Sequence, residues 1–389
     1  MVDKIEVFVF IDALGWKIVG RDRFAEDLLP YRKPAEMQFG YSCTAIPTIL
    51  TGKRPDEHGH LAFFSYAPDR SPFKRLAKWS WLFRPKSFWN RGRVRSRLSR
   101  IVKRLYGFTG YFQLYRMPIE KLGMMDYCER RDIFAAGGLA PCENLKDVMD
   151  RSSVPCHLSD WRAGDAANFE AAVRAIRGGS RFLFCYFCEL DAILHDHAAE
   201  LDHPAVRDKI AWYRERLAAL AEACRATGRE FSITVFSDHG MTPLAGTRDL
   251  MSAVEATGLV FGRDYGACYD STMMRVTYLT EAAREKIPAA LRPFERDGRW
   301  LDEEEMRRWG VWRDDRLFGD AIFLMNPGVQ IAPSDMGQKP LNGMHGFVPD
   351  DRDSLAAVLS TEPIPDSVRA VSDYFGLMVS RLRDLEKSK

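Results

Sequence analysis

Three stretches of the chain are apolar at almost every position and then end in acidic or histidine residues: IEVFVFID (5–12), RFLFCYFCELD (181–191) and FSITVFSDHG (231–240). Apolar runs without alternation predict strands buried on both faces, as in a parallel sheet covered by helices. Between the last two lies PAVRDKIAWYRERLAALAEACRATG (204–228), whose helical spacing closes at Gly228. Strand, helix, strand is the repeating unit of such a sheet. TMMRVTYL (272–279) and AIFLMN (321–326) read as later strands, and residues 365–387 as a C-terminal helix with a basic last part. The fold class expected is therefore α/β, a mostly parallel central sheet flanked by helices on both faces.

Residues 61–135 break this rhythm. They are basic and aromatic, with Pro and Gly interruptions, and are expected to be an insertion within a single catalytic domain spanning 1–389. Thirteen Lys or Arg fall between Arg70 and Arg104 with no Asp or Glu among them. The net charge of the chain is only +2, so the remainder carries −11 once those thirteen are set aside. Concentrated charge of this kind concerns partners rather than fold. Trp79, Trp81, Phe83, Phe88 and Trp89 lie among the cations. That mixture suits an anionic membrane surface or a lid over the active site, with single-stranded nucleic acid the lesser reading.

Composition adds two expectations. Eight scattered cysteines without a zinc-type pairing point to buried free thiols in a reducing compartment. The N-terminus lacks the basic start and cleavage site of a secretory leader, and no run approaches the roughly 20 apolar residues of a membrane span. The expected setting is cytoplasmic, peripheral on a membrane.

Candidate chemistry gathers where the predicted strands end, which is where open α/β sheets place their sites. Asp12 follows the first strand. Asp191 and His195 stand four apart in ELDAILHDH, Asp238 and His239 are adjacent in SDHGM, and His345 lies in NGMHGF. Three Asp and three His with no cysteine suit two divalent ions held by mixed oxygen and nitrogen donors. YSCTAIPTILTG (41–52) predicts a helix with Ser42 at its N-terminus, where the helix dipole favours an anion or an ionised hydroxyl. Thr44 is the alternative nucleophile, and Cys43 reads as a small buried hydrophobe. Glu189 either supports Asp191 or merely ends its strand.

These motifs resemble the alkaline phosphatase superfamily, most closely its type I phosphodiesterase/nucleotide pyrophosphatase branch. In that superfamily the nucleophile lies nine residues before the Thr of a Thr-Gly pair. Here that is Ser42 before Thr51, and TGKRPDEHGH continues the pattern. The resemblance implies that Asp12, Ser42, Asp238 and His239 hold one ion, usually zinc, with manganese the other choice. It implies that Asp191, His195 and His345 hold the second. An Asn that helps hold phosphoryl oxygens in the nucleotide pyrophosphatases is replaced by Phe63. The implied function is hydrolysis of a phosphate ester, a diester or pyrophosphate, through a covalent phospho-Ser42. The alternatives are a sulfatase, phosphonate hydrolase or phospho-group transferase of the same superfamily, and a non-catalytic metal-stabilised binding protein.

Overall fold

A computed structural model describes residues 3–83 and 86–387. They form two compact units. One comprises Met1–Arg54, Phe134–Pro243 and Asn342–Lys389, and the other Pro55–Ile133 and Leu244–Leu341.

The first unit is built on a six-stranded sheet. Its strands are β1 (Lys4–Ile11), β2 (Tyr31–Ala35), β3 (Cys156–Leu158), β4 (Phe182–Phe187), β5 (Glu230–Phe236) and β6 (Ala356–Ser360). The order across the sheet is β2-β6-β5-β1-β4-β3. β1 pairs in parallel with both β4 and β5, and β3 with β4, while β6 runs antiparallel to β5 and β2. The sheet is thus mostly parallel, as the apolar runs predict. Ile5, Val7, Val9 and Ile11 turn to one face and pack with Phe169 and Ile176 of helix Asp165–Arg177 and with Leu217 and Leu220 of helix Pro204–Arg225. Phe10 turns to the other face, where it stacks on Tyr186 and Phe236, and Phe236 meets Tyr374 of helix Tyr374–Lys387. Each of these fully buried side chains contributes on the order of 1.5–3 kcal/mol, so both faces are apolar and both carry helices.

Two element boundaries differ from expectation. The strand foreseen over 181–191 stops at Phe187, and Glu189–His197 is helical, which lifts Asp191 onto a helix. The C-terminal helix foreseen over 365–387 begins only at Tyr374. The Asp373 carboxylate accepts hydrogen bonds from the Arg369 and Ala370 N–H groups at 2.8 and 2.9 Å, capping a single 3-10 turn, Val371–Asp373, that precedes the helix.

The second unit carries a four-stranded antiparallel sheet of Tyr265–Tyr269, Met273–Tyr278, Ala321–Met325 and Gly298–Trp300, and a small ladder of Phe64–Tyr66 with Met125–Tyr127. The strands expected at 272–279 and 321–326 therefore exist, but in this sheet. The basic stretch folds into short helical turns and one longer helix, Gly92–Leu105. That helix packs Leu98 and Val102 against Phe73, Phe108 and Phe112.

Candidate metal centre and nucleophile

The C-terminal ends of β1, β4 and β5 lie side by side in the sheet, so the residues following them converge. Asp12 directly follows β1, Asp238 and His239 follow β5, and Asp191 and His195 share one side of the helix after β4, four residues apart. Ser42 is the first residue of helix Ser42–Thr51. Gly52 ends that helix in the left-handed conformation, φ +65°, and returns its N–H to the Thr48 carbonyl, which accounts for the Thr-Gly pair. His345 directly follows the short strand Gly343–Met344, which pairs with Thr242–Pro243.

The structure brings all seven candidate residues together in two groups. In the first, His239 Nε2 lies 3.1 Å from Ser42 Oγ, 3.1 Å from Asp238 Oδ2 and 3.6 Å from Asp12 Oδ1. In the second, Asp191 Oδ2 is 3.4 Å from His195 Nε2 and its Oδ1 is 3.8 Å from His345 Nε2. The rings of His239 and His345 stack with centroids 3.5 Å apart and join the two groups. Asp12, Asp238, His239 and His345 are buried, while Ser42, Asp191 and His195 are partly open to solvent.

Three features fit this donor set to divalent cations. Asp12 Oδ1, Asp238 Oδ2, Asp191 Oδ1 and His345 Nδ1 are buried without a hydrogen-bond partner, a costly state for any polar atom. Donor atoms around a tetrahedral ion at about 2.0–2.1 Å stand roughly 3.3 Å apart, close to the spacings of the first group. Two of the rings are also held in the tautomer a ligand needs. His239 Nδ1–H donates to the Gly240 carbonyl at 2.8 Å and His195 Nδ1–H to the Gly343 carbonyl at 2.9 Å, so each ring turns its Nε2 to the carboxylates and offers that nitrogen to an ion on losing its proton.

The electrostatics agree. Burial raises Asp12 well above the usual carboxylate range, and neighbouring Asp238 and Asp191 raise it further. Burial pulls His239 down, but Asp238, Asp12 and Asp191 outweigh it and push the imidazole up to about 10. Asp191 is held below its ordinary value: burial opposes the shift, and His195 and His345 overcome it. The shifts arise because three carboxylates crowd together beside His239, a grouping a bound cation would relieve.

A further cluster, His197, Glu200 and His203, has ligand-type atoms within 4.8 Å of one another. Its chemistry differs. His203 Nδ1 accepts the Ala205 N–H as a helix cap, so a neutral His203 carries its proton on Nε2 and has no lone pair left for an ion. Glu189 does not support Asp191. It accepts the Asp165 N–H at 3.0 Å and pairs with Lys209 at 2.6 Å. Cys43 is buried inside its helix, and Thr44 turns inward, its Oγ1 accepting the Tyr41 N–H at 3.2 Å. Phe63 stacks among Tyr111, Tyr115 and Tyr127 of the second unit.

Several supporting groups were not foreseen. Tyr186 donates its hydroxyl to Asp12 Oδ2 at 2.8 Å. It is the one hydroxyl in FLFCYF, a signal open to reading. Ala13 holds a left-handed φ of 62° and gives its N–H to Asp238 Oδ1 at 3.2 Å. Gly240 lets the His239 turn pass the chain at 353, because a Cβ there would lie 2.2 Å from the Asp353 carbonyl. Backbone donors and acceptors of this kind leave no trace in residue type.

Such a sheet is shared with solved structures. Human ectonucleotide pyrophosphatase/phosphodiesterase 5 matches with a TM-score of 0.66 at 13% identity, over 97% of this chain and 95% of that one. The murine protein matches with 0.65 at 14%, over 97% and 95%. Its inactive variant in complex with AMP matches with 0.64 at 14%, over 98% and 95%. At these identities the likeness establishes the fold, which is alkaline phosphatase-like. No curated protein matches the chain in sequence. The family model for type I phosphodiesterase/nucleotide pyrophosphatase, however, matches residues 40–348, and the chain belongs to that family of metal-dependent phosphoric ester hydrolases.

Proposed function

We propose that the chain hydrolyses a phosphoric diester or a pyrophosphate through a covalent phospho-Ser42 intermediate at a two-ion site. The observation that carries this reading is the placement of Ser42 Oγ at a helix N-terminus, 3.1 Å from His239 Nε2, which itself lies 3.1 Å from Asp238 Oδ2 and 3.6 Å from Asp12 Oδ1. Asp12, Ser42, Asp238 and His239 would hold one ion, and Asp191, His195 and His345 the other, with zinc or manganese suiting these donors. Bound there, the ions would lower the pKa of a hydroxyl and offset charge on the phosphoryl oxygens.

The remaining chemistry belongs to side chains of this protein. Ser42 Oγ gives up its proton to solvent and attacks phosphorus in line, and the bond to the leaving oxygen breaks, that oxygen taking a proton from solvent as it departs. The positive end of helix Ser42–Thr51 favours the charge that builds there. Tyr186 and the Ala13 N–H keep Asp12 and Asp238 oriented. Water then attacks the phospho-Ser42 ester, breaks its P–O bond and releases the product acid. The murine neighbour crystallised with AMP supports a nucleotide-type substrate, with a nucleotidyl-Ser42 as the intermediate. The buried position of Cys43 speaks against a modified-cysteine sulfatase. The buried free thiols of Cys43, Cys185, Cys224 and Cys268 support a reducing, cytoplasmic setting.

Assays of metal-loaded protein on aryl phosphate diesters, aryl phosphate monoesters and aryl sulfates, side by side, test the reading. The diester should turn over fastest and depend on Ser42. Sulfate turnover exceeding both phosphates, undiminished in Ser42→Ala, would refute it.

A further inference from the structure

The basic stretch is a shaped surface. Helix Gly92–Leu105 buries Arg95, Leu98, Ser99 and Val102 toward the aromatic core of the second unit. Arg93, Arg97, Arg100 and Arg104 follow at i, i+4, i+7 and i+11 and are all exposed. At 100° per residue they fall within about 60° of one another, directly opposite the buried side. Ile101 and Leu105 flank this arginine stripe, 55% and 74% exposed. Trp79 and Trp81 stand out nearby in sequence, 57% and 61% exposed.

Six of the nine exposed large apolar side chains among the described residues fall between 79 and 105, the segment that also lacks any acid. Exposed apolar groups are normal when scattered and informative when concentrated. Arg95 is the exception in the series. It is buried, and it donates to the Met117 carbonyl at 3.0 Å and to Asn90 Oδ1 at 2.7 Å, so it holds the helix in place. Phe83 and Trp89 are likewise only half exposed and meet edge to face at 4.9 Å. Arg84 lies outside the described residues.

We propose that this arginine stripe and its apolar flank form a docking face for an anionic lipid bilayer. The charges match a surface of phosphate and carboxylate headgroups. The tryptophans are amphipathic rings of the kind that settle at headgroup level. Because the helix's apolar side is already occupied by the protein core, the face rests on the membrane rather than inserting a helix into it. Among the described residues no helix is long and apolar enough to cross a membrane.

The test is sedimentation of the full chain with vesicles of phosphatidylserine and phosphatidylcholine, against vesicles of phosphatidylcholine alone. The protein should bind the anionic vesicles and leave the neutral ones, and added salt should weaken binding without abolishing it. Replacing Arg93, Arg97, Arg100 and Arg104 by Ser should lower affinity roughly fivefold per residue. Trp79→Ala with Trp81→Ala should remove the salt-resistant part. Both variants should keep the parent melting temperature and small-ester turnover, whereas Arg95→Ser should lower the melting temperature. Equal binding to neutral vesicles, or unchanged binding by the four-arginine variant, overturns the proposal. So does binding to a single-stranded oligonucleotide in place of vesicles, which makes the face a nucleic-acid surface. Loss of small-ester turnover with vesicle binding intact also overturns it, and makes the segment a lid.

Discussion

Ser42 Oγ lies 3.1 Å from His239 Nε2 although 197 residues separate them in the chain. The first is fixed by the start of a helix, the second by the turn that ends β5. The helix of Ser42 follows β2, which is joined to β5 in the sheet through β6. The hydroxyl is thus set against a ring nitrogen whose other nitrogen is already committed to a backbone carbonyl. A nitrogen so placed is suited to hold an ion beside the hydroxyl.

Removal of metal should abolish turnover, and zinc or manganese should restore it. Elemental analysis of the active protein should find about two ions per chain. Asp238→Asn should lower the content of one site and His345→Ala that of the other, each with little change in the far-ultraviolet circular dichroism. Full activity in metal-free protein would exclude the arrangement.

Tyr186→Phe should weaken metal retention by about 10–100-fold, because it deletes the hydrogen bond that orients Asp12. Titration with a competing chelator reads this directly. The melting temperature should change little, since the ring keeps its stacking on Phe10 at 4.8 Å. An unchanged affinity would show that the hydroxyl is not part of the ligand support.

Much of this was legible in the sequence because the relevant residues sit where pattern changes. The apolar runs of β1, β4 and β5 predict a parallel sheet, and the acids closing them mark its C-terminal edge. Ser42 and the Thr51-Gly52 pair mark a helix and its stop. The lost information is of two kinds. Asp191 looked like a strand end, because the change from strand to helix at Cys188 has no Gly or Pro to announce it. Arg95 looked like its neighbours, because a charge run hides helical phase until the helix is placed: Arg95 turns to the core while Arg93 and Arg97, two residues to either side, face out. Two antiparallel strands of the second unit, at 272–279 and 321–326, were readable, whereas Tyr265–Tyr269 and Gly298–Trp300 were not, and their grouping into a separate sheet depends on long-range pairing that local pattern does not encode.

Glu129 makes a prediction about stability. Burial, assisted by Asp132, pushes its carboxyl up to about 8 in the folded protein, against about 4.3 when unfolded. A raised folded value means the unfolded state loses its proton first. Glu129 therefore costs no stability below about pH 4 and progressively more as pH rises toward 8. Glu129→Gln should melt near the parent at pH 4–5 and above it at pH 8–9, by roughly 2–4 °C for each kcal/mol recovered. A difference that is constant with pH would show that the carboxyl ionises without penalty.

The most direct measurement is identification of the covalent intermediate. Metal-loaded protein mixed with an aryl phosphate diester and quenched in acid within one turnover should carry one added phosphoryl ester. Peptide mapping by mass spectrometry should place it on Ser42. Ser42→Ala should show no adduct, retain its metal and lose turnover by about 10³-fold or more. An adduct on Thr44 or any other residue, or a Ser42→Ala variant that turns over at the parent rate, would contradict the account.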